Sequence, residues 1–92
     1  MPTTDAQAEA LHDLENLAAE MTTRGYPSML HTPPGRLPYL DVANPRAAML
    51  SERVYASTGA YWFSWAERIA GCDEVNLAGG ILAQVLRTAD GK

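Results

Sequence analysis

A histidine between two carboxylates is the first pattern in this sequence that could do chemistry. His12 stands three residues from both Glu9 and Glu15, and this spacing could bring an imidazole and a carboxylate together on a helix for metal binding or proton transfer. A metal site, however, needs three or four converging ligands, and His31 is the only other histidine. We interpret the pattern as a solvated helix face and expect no metal ion.

The single cysteine, Cys72, is the second candidate for chemistry. A helix that begins just after Cys72 would stabilise the thiolate and so lower the pKa of the thiol. The neighbouring carboxylates of Asp73 and Glu74 would raise that pKa. We therefore expect an inert thiol. One cysteine cannot form an intrachain disulfide, which favours a protein of the reducing cytoplasm.

Motifs for covalent catalysis or nucleotide binding do not occur in the sequence. It contains neither a G-x-S-x-G turn nor a G-x-G-x-x-G fingerprint, and Gly79-Gly80 lacks the lysine and the spacing of a phosphate-binding loop. We therefore predict no catalytic residues and no cofactor, and we favour a protein that is not an enzyme.

The segment at residues 60–65 is rich in aromatic side chains and is the most informative part of the sequence. In a strand, alternation sends Tyr61, Phe63 and Trp65 to one face of the sheet and Trp62 to the other. Because helices usually cover one face of such a sheet, Trp62 is exposed where a partner could bind, or is covered by loops or arginine side chains. The candidate interface residues are Trp62, Tyr55, Tyr39, Arg53 and Arg68.

Two amphipathic helices are predicted to flank this segment. Thr4 and Gln7 form a capping box, and apolar residues then recur at helical spacing, which predicts a first helix over residues 4–24. Asp73 can cap a second helix that carries an apolar stripe and ends before Gly91. Each helix has one apolar face that requires a sheet or another helix to cover it.

Four strands are predicted between the helices. The turn at Thr58-Gly59 marks the clearest hairpin, which we expect at the centre of the sheet. Pro38 indicates that the second strand lies at an edge or begins irregularly. The predicted class is α+β in the order α-β-β-β-β-α, an antiparallel four-stranded sheet with both helices on one face and strands at residues 29–30, 37–42, 52–57 and 60–65.

Length and charge limit the kind of protein. A chain of 92 residues with 47% hydrophobic and 20% charged residues is expected to form a single domain over residues 1–92. The net charge of −4 works against binding to nucleic acid or to an anionic membrane. The first 20 residues are acidic and lack an apolar run, so we expect no signal peptide, no membrane anchor and a cytoplasmic protein.

Three segments carry a resemblance to a known group of proteins: LPYLDVANP at residues 37–45, ERVY at 52–55 and YWFSWAERI at 61–69. Together they resemble a family of small uncharacterised actinobacterial proteins often encoded near helix-turn-helix regulators. The resemblance implies a regulatory or accessory role, assigns no catalytic residue, and makes the first helix the variable part. Phe63 and Ser64 depart from the different aromatic residue and the proline that are more usual at these positions.

The sequence is compatible with three functions. The leading hypothesis is a non-enzymatic interaction module that binds protein through the sheet, most simply by forming a homodimer. The alternative is a small-molecule binder or small enzyme with a pocket between the second helix and the sheet, where Gly79 and Gly80 would leave space. A nucleic-acid-binding accessory protein ranks third because of the acidic charge.

Overall fold

The computed structural model describes residues 5–88, and the side chains of all of these except residues 5, 6, 48, 87 and 88. An antiparallel sheet lies between two helices in the chain, which confirms the α+β class. The sheet has five strands and not the predicted four. The elements are α1 Asp5–Thr23, β1 Ser28–His31, β2 Tyr39–Asn44, β3 Ala47–Ser57, β4 Ala60–Phe63, β5 Arg68–Gly71 and α2 Val75–Thr88.

The fifth strand corrects the sequence prediction in its last third. The predicted strand over residues 60–65 ends at Phe63, and the chain then turns through Ala66, whose φ is 70°. It returns as β5, which pairs antiparallel with β4. β5 is only four residues long, so its apolar signal is too short to be separated from the turn before it.

The central hairpin forms as predicted. Thr58 and Gly59 both have positive φ, 52° and 76°, which suits a two-residue turn that matches the twist of the strands. β3 is the middle strand and begins at Ala47, five residues earlier than expected. β2 starts at Tyr39, directly after Pro38, and lies second from the edge, so the proline marks the start of the strand and not an edge.

Both helices pack on the same face of the sheet and against each other. α1 covers β1, β2 and β3, while α2 covers β5 and parts of β2 and β3. The alternate residues of the strands that point to this face are buried. The core that results consists of Leu14, Leu17, Met21, Leu40, Val42, Val54, Ala56, Tyr61, Phe63, Ile69, Ala70, Ala78, Leu82 and Leu86.

Two polar side chains fix the layers to each other. Tyr61 is fully buried and its hydroxyl donates a hydrogen bond of 2.6 Å to the carbonyl of Asp13 in α1. Asn44 is also buried, and its Nδ2 donates to the carbonyl of Leu86 in α2 at 3.1 Å. Since these bonds run from the sheet to each helix, they set where both helices sit.

The glycines of α2 serve helix packing. A Cβ on Gly79 would lie 2.7 Å from Cγ of Glu20 and 2.8 Å from Nε of Arg24, both in or next to α1. The space beside Gly79 is therefore filled by the side chains of Glu20 and Arg24. Within residues 5–88, neither helix combines the length and the apolar character needed to cross a membrane.

Candidate binding face of the sheet

The face of the sheet opposite the helices carries one row of large side chains that crosses every strand. The strand register places His31 opposite Tyr39, Tyr55 opposite Trp62, and Trp62 opposite Arg68. Tyr39 lies next to Leu40, whose partner is Val54, so the same register brings Tyr39 opposite Tyr55. We call these five residues, His31, Tyr39, Tyr55, Trp62 and Arg68, the cross-strand row.

Three neighbouring rings of the cross-strand row pack against one another. His31 stacks on Tyr39 with ring centroids 4.8 Å apart, and Tyr39 meets Tyr55 at 5.8 Å in a tilted arrangement. Trp62 donates from Nε1 to the carbonyl of Ser57 at 3.0 Å, which holds its indole over the end of the hairpin. With strands about 4.8 Å apart, five positions span roughly 19 Å, so the row forms a broad and partly rigid aromatic surface.

An ionic group lies beside this row. Oδ2 of Asp41 lies 3.1 Å from Nε2 of His31, and Oδ1 of Asp41 lies 3.8 Å from Nε of Arg53. The guanidinium of Arg53 lies 4.1 Å from the centroid of Tyr39, a cation–π distance. A side-chain hydrogen bond with Tyr55 raises the pKa of Arg53, so this residue is a permanent cation on the open face.

A groove of about 970 Å³ opens on the same face. Its floor includes Tyr39, Tyr55 and Trp62. One wall comes from the connection between β1 and β2, with Pro33, Pro34 and Leu37, and the other from the connection after β4, with Ser64 and Ala66. Arg36 and Arg53 are the only charged residues in its lining, and the rest of the lining is apolar, aromatic or hydroxylic.

Four of the five predicted interface residues converge in this groove: Trp62, Tyr55, Tyr39 and Arg53. The fifth, Arg68, ends the cross-strand row but reaches toward α2. Its Nη2 lies 3.6 Å from the position that a Cβ on Gly71 would take. Whether these residues form an interface stays a prediction.

Trp65 is placed differently from the sequence expectation. It lies in the turn after β4 and not on the core face of a strand, and about half of it is exposed. Its ring stacks on Phe63 with centroids 4.4 Å apart, and its Nε1 donates to Glu67 at 2.9 Å. Trp65 therefore covers the ring of Phe63 at the edge of the core.

Several residues of the face carried no signal in the sequence. His31 and Asp41 join through the pairing of β1 with β2, and Arg36, Pro34 and Leu37 come from an irregular connection. Only the correct strand register could have brought them together, because none of them forms a motif along the chain.

The other residues considered for chemistry lie elsewhere. His12 is exposed on α1, and within the described residues no cluster of three or more His, Cys, Asp or Glu side chains could hold a metal ion. Burial, together with the hydrogen bond to Asp13, raises the pKa of Cys72 to about 12, so its thiol stays protonated at neutral pH. No protein-family model, curated protein or solved structure matches this chain.

Proposed function

We propose that this protein is a non-enzymatic interaction module that binds another polypeptide through the open face of its sheet, as an accessory or regulatory protein would. The observation that carries the proposal is the cross-strand row. Large aromatic side chains and arginine are the residues that dominate the binding energy of protein interfaces, and here they lie side by side on a face that neither helix covers.

The surroundings of the row support this function. Met29 and Leu37 are more than 60% exposed, and Trp65 is 53% exposed, although all three are large apolar side chains. Met29 pairs with Asp41 and so lies on the open face, and Leu37 forms a wall of the groove. Exposed large apolar side chains with a few ionic groups near them are typical of a site that a partner covers.

A photochemical cross-link tests the proposal in the cells that normally make the protein. Benzoylphenylalanine at Tyr55 should give a discrete adduct, and Trp62→Asp in the same chain should abolish it because a carboxylate disrupts an apolar contact. Benzoylphenylalanine at Leu77, which is 51% exposed on α2, is the matched control on another surface. Circular dichroism establishes that each variant folds.

The mass of the adduct identifies the partner. An adduct of twice the monomer mass supports self-association through the sheet, and a different mass, identified by peptide sequencing, supports a second protein. Equal labelling from both positions, or none from either, would contradict the proposal.

A small-molecule binder is the second candidate, and one observation favours it. The groove volume of about 970 Å³ lies at the upper end of the range for ligand pockets. This pocket is on the opposite side of the sheet from the one predicted beside α2. The groove is more open than enclosed, which suits an extended chain better than a compact ligand that must bury most of its surface.

A further inference from the structure

We propose that the groove binds an extended, acidic segment of its partner, with carboxylates held by Arg53 and Arg36 and apolar side chains seated on the aromatic floor. This inference rests on the proposed function and specifies the chemistry of the partner.

The groove differs in charge from the protein as a whole. The groove lining contains two guanidinium groups and no carboxylate. The chain as a whole has a net charge of −4, so the groove is a local cationic site on an acidic protein. Such a contrast attracts an acidic segment to this place and repels it from the rest of the surface.

Arg53 is held ready to accept a carboxylate. Its guanidinium lies 4.1 Å from the centroid of the Tyr39 ring, and this cation–π contact orients the planar group before a ligand arrives. The 3.8 Å separation from Asp41 is longer than a hydrogen bond, and 47% of the Arg53 side chain remains exposed. Hydrogen-bond donors that are already oriented and can still donate bind a carboxylate at a small cost in side-chain entropy.

The shape of the groove suits an extended chain. Arg53 lies four residues before Ser57 on β3, a length of about 13 Å, and Arg36 belongs to the end near Ser57 and Thr58. About four extended residues of a ligand span that length. Between its ends, the floor of tyrosine and tryptophan and the proline wall favour proline or another apolar side chain, as in other aromatic-lined peptide grooves.

Two other occupants fit less well. Two copies of the protein placed groove to groove would bring four arginines together, which costs electrostatic energy. A single-stranded nucleic acid could stack on the aromatic row, but its phosphates would meet only two cations in the groove of an acidic protein.

A random heptapeptide library displayed on phage tests this inference with the intact chain. Selection on the wild-type protein, after depletion on Arg53→Gln, should enrich peptides with more Asp and Glu than the unselected library. One enriched peptide, made synthetically, should bind about tenfold more weakly to the Arg53→Gln variant than to the wild-type protein. An analogue of that peptide with glutamine in place of glutamate should bind about tenfold more weakly to the wild-type protein than the peptide itself. Arg46→Gln, an exposed arginine in the β2–β3 turn, should leave its affinity unchanged.

The outcomes separate the two proposals. Enriched peptides without an excess of acidic residues would overturn the acidic specificity and leave peptide binding in place. No enrichment, combined with no cross-link from Tyr55, would overturn both. If a labelled oligothymidylate bound more tightly than any selected peptide, the proposal would be overturned in favour of nucleic acid as the ligand. If the protein formed a stable dimer that competed with the peptide, it would be overturned in favour of a second copy of the chain.

Discussion

The guanidinium of Arg24 occupies the space that a side chain on Gly79 would need, because a Cβ there would lie 2.8 Å from Arg24 Nε. The same arginine pairs with Glu20 at 2.7 Å and donates from Nη2 to the carbonyl of Asn76 at 3.1 Å. A glycine inside a helix usually destabilises it, and here it permits the arginine to join α1 to α2.

Two neighbouring glycines therefore give different results when replaced by alanine. Gly80→Ala should stabilise the protein by about 1 kcal/mol, since the nearest atom to the new Cβ, 3.9 Å away, is an ordinary contact. Gly79→Ala forces Glu20 and Arg24 aside and should be less stable than Gly80→Ala by about 1–2 kcal/mol. Urea unfolding of both variants measures the difference, and equal stabilities would contradict this account of the helix contact.

Replacement of Asn44 tests the link between the sheet and α2. Its side chain donates to Leu86 and accepts from the backbone nitrogens of Arg46 and Ala47 at 2.7 and 3.1 Å. Asn44→Ala leaves these groups without that partner and should lower the free energy of unfolding by about 2–3 kcal/mol. Asn16→Ala, on the exposed face of α1, is the control and should change it by less than about 0.5 kcal/mol. Similar losses from both would disprove the role of Asn44.

The thiol of Cys72 should react slowly. Because burial and the hydrogen bond to Asp13 raise its pKa to about 12, almost no thiolate exists in the folded protein at pH 8. We expect alkylation by iodoacetamide to be at least about tenfold slower in buffer than in concentrated urea, where the pKa returns to an ordinary value. Equal rates would show that the thiolate is accessible and not suppressed.

Stability should fall in alkaline solution. Cys72 and Tyr61 both have a pKa raised by burial, so the unfolded chain loses these protons at lower pH than the folded protein. The folded state then binds more protons, and stability declines from about pH 9, the ordinary value for the thiol, upward through pH 12. Urea midpoints at pH 7, 9 and 10.5 measure the decline, and Cys72→Ala should reduce it. A midpoint that stays constant over this range would contradict the prediction.

Apart from β5, the order of elements follows from the sequence for reasons that are local. Helical spacing of apolar residues identifies α1 and α2, and Thr58-Gly59 has the turn chemistry that a tight hairpin requires. β5 lacks such a signal, because four residues that end in Gly71 are too few for a recognisable alternation. The capping box predicted at Thr4 lies outside the described residues.

The sequence predicts the residues of the site only where a single strand or the tight hairpin supplies them. Alternation alone places Trp62 on the face away from the core, and Tyr55 follows from the tight hairpin. The contributions of His31, Asp41 and Arg36 depend on the pairing of β1 with β2 and on an irregular connection. Those contacts are set by tertiary structure, which a pattern of residue types along the chain does not encode.

Each strand of the sheet pairs with the strand that precedes it in the chain, so all the hairpins can form from local segments in turn. The buried face, however, needs Leu82 and Leu86 of α2, the last of the described elements to leave the ribosome. During synthesis the nascent sheet therefore presents apolar surface on both sides, and cooperative closure waits for α2. The interval before α2 packs against the sheet is the stage at which a chaperone or an early partner would protect this chain from aggregation.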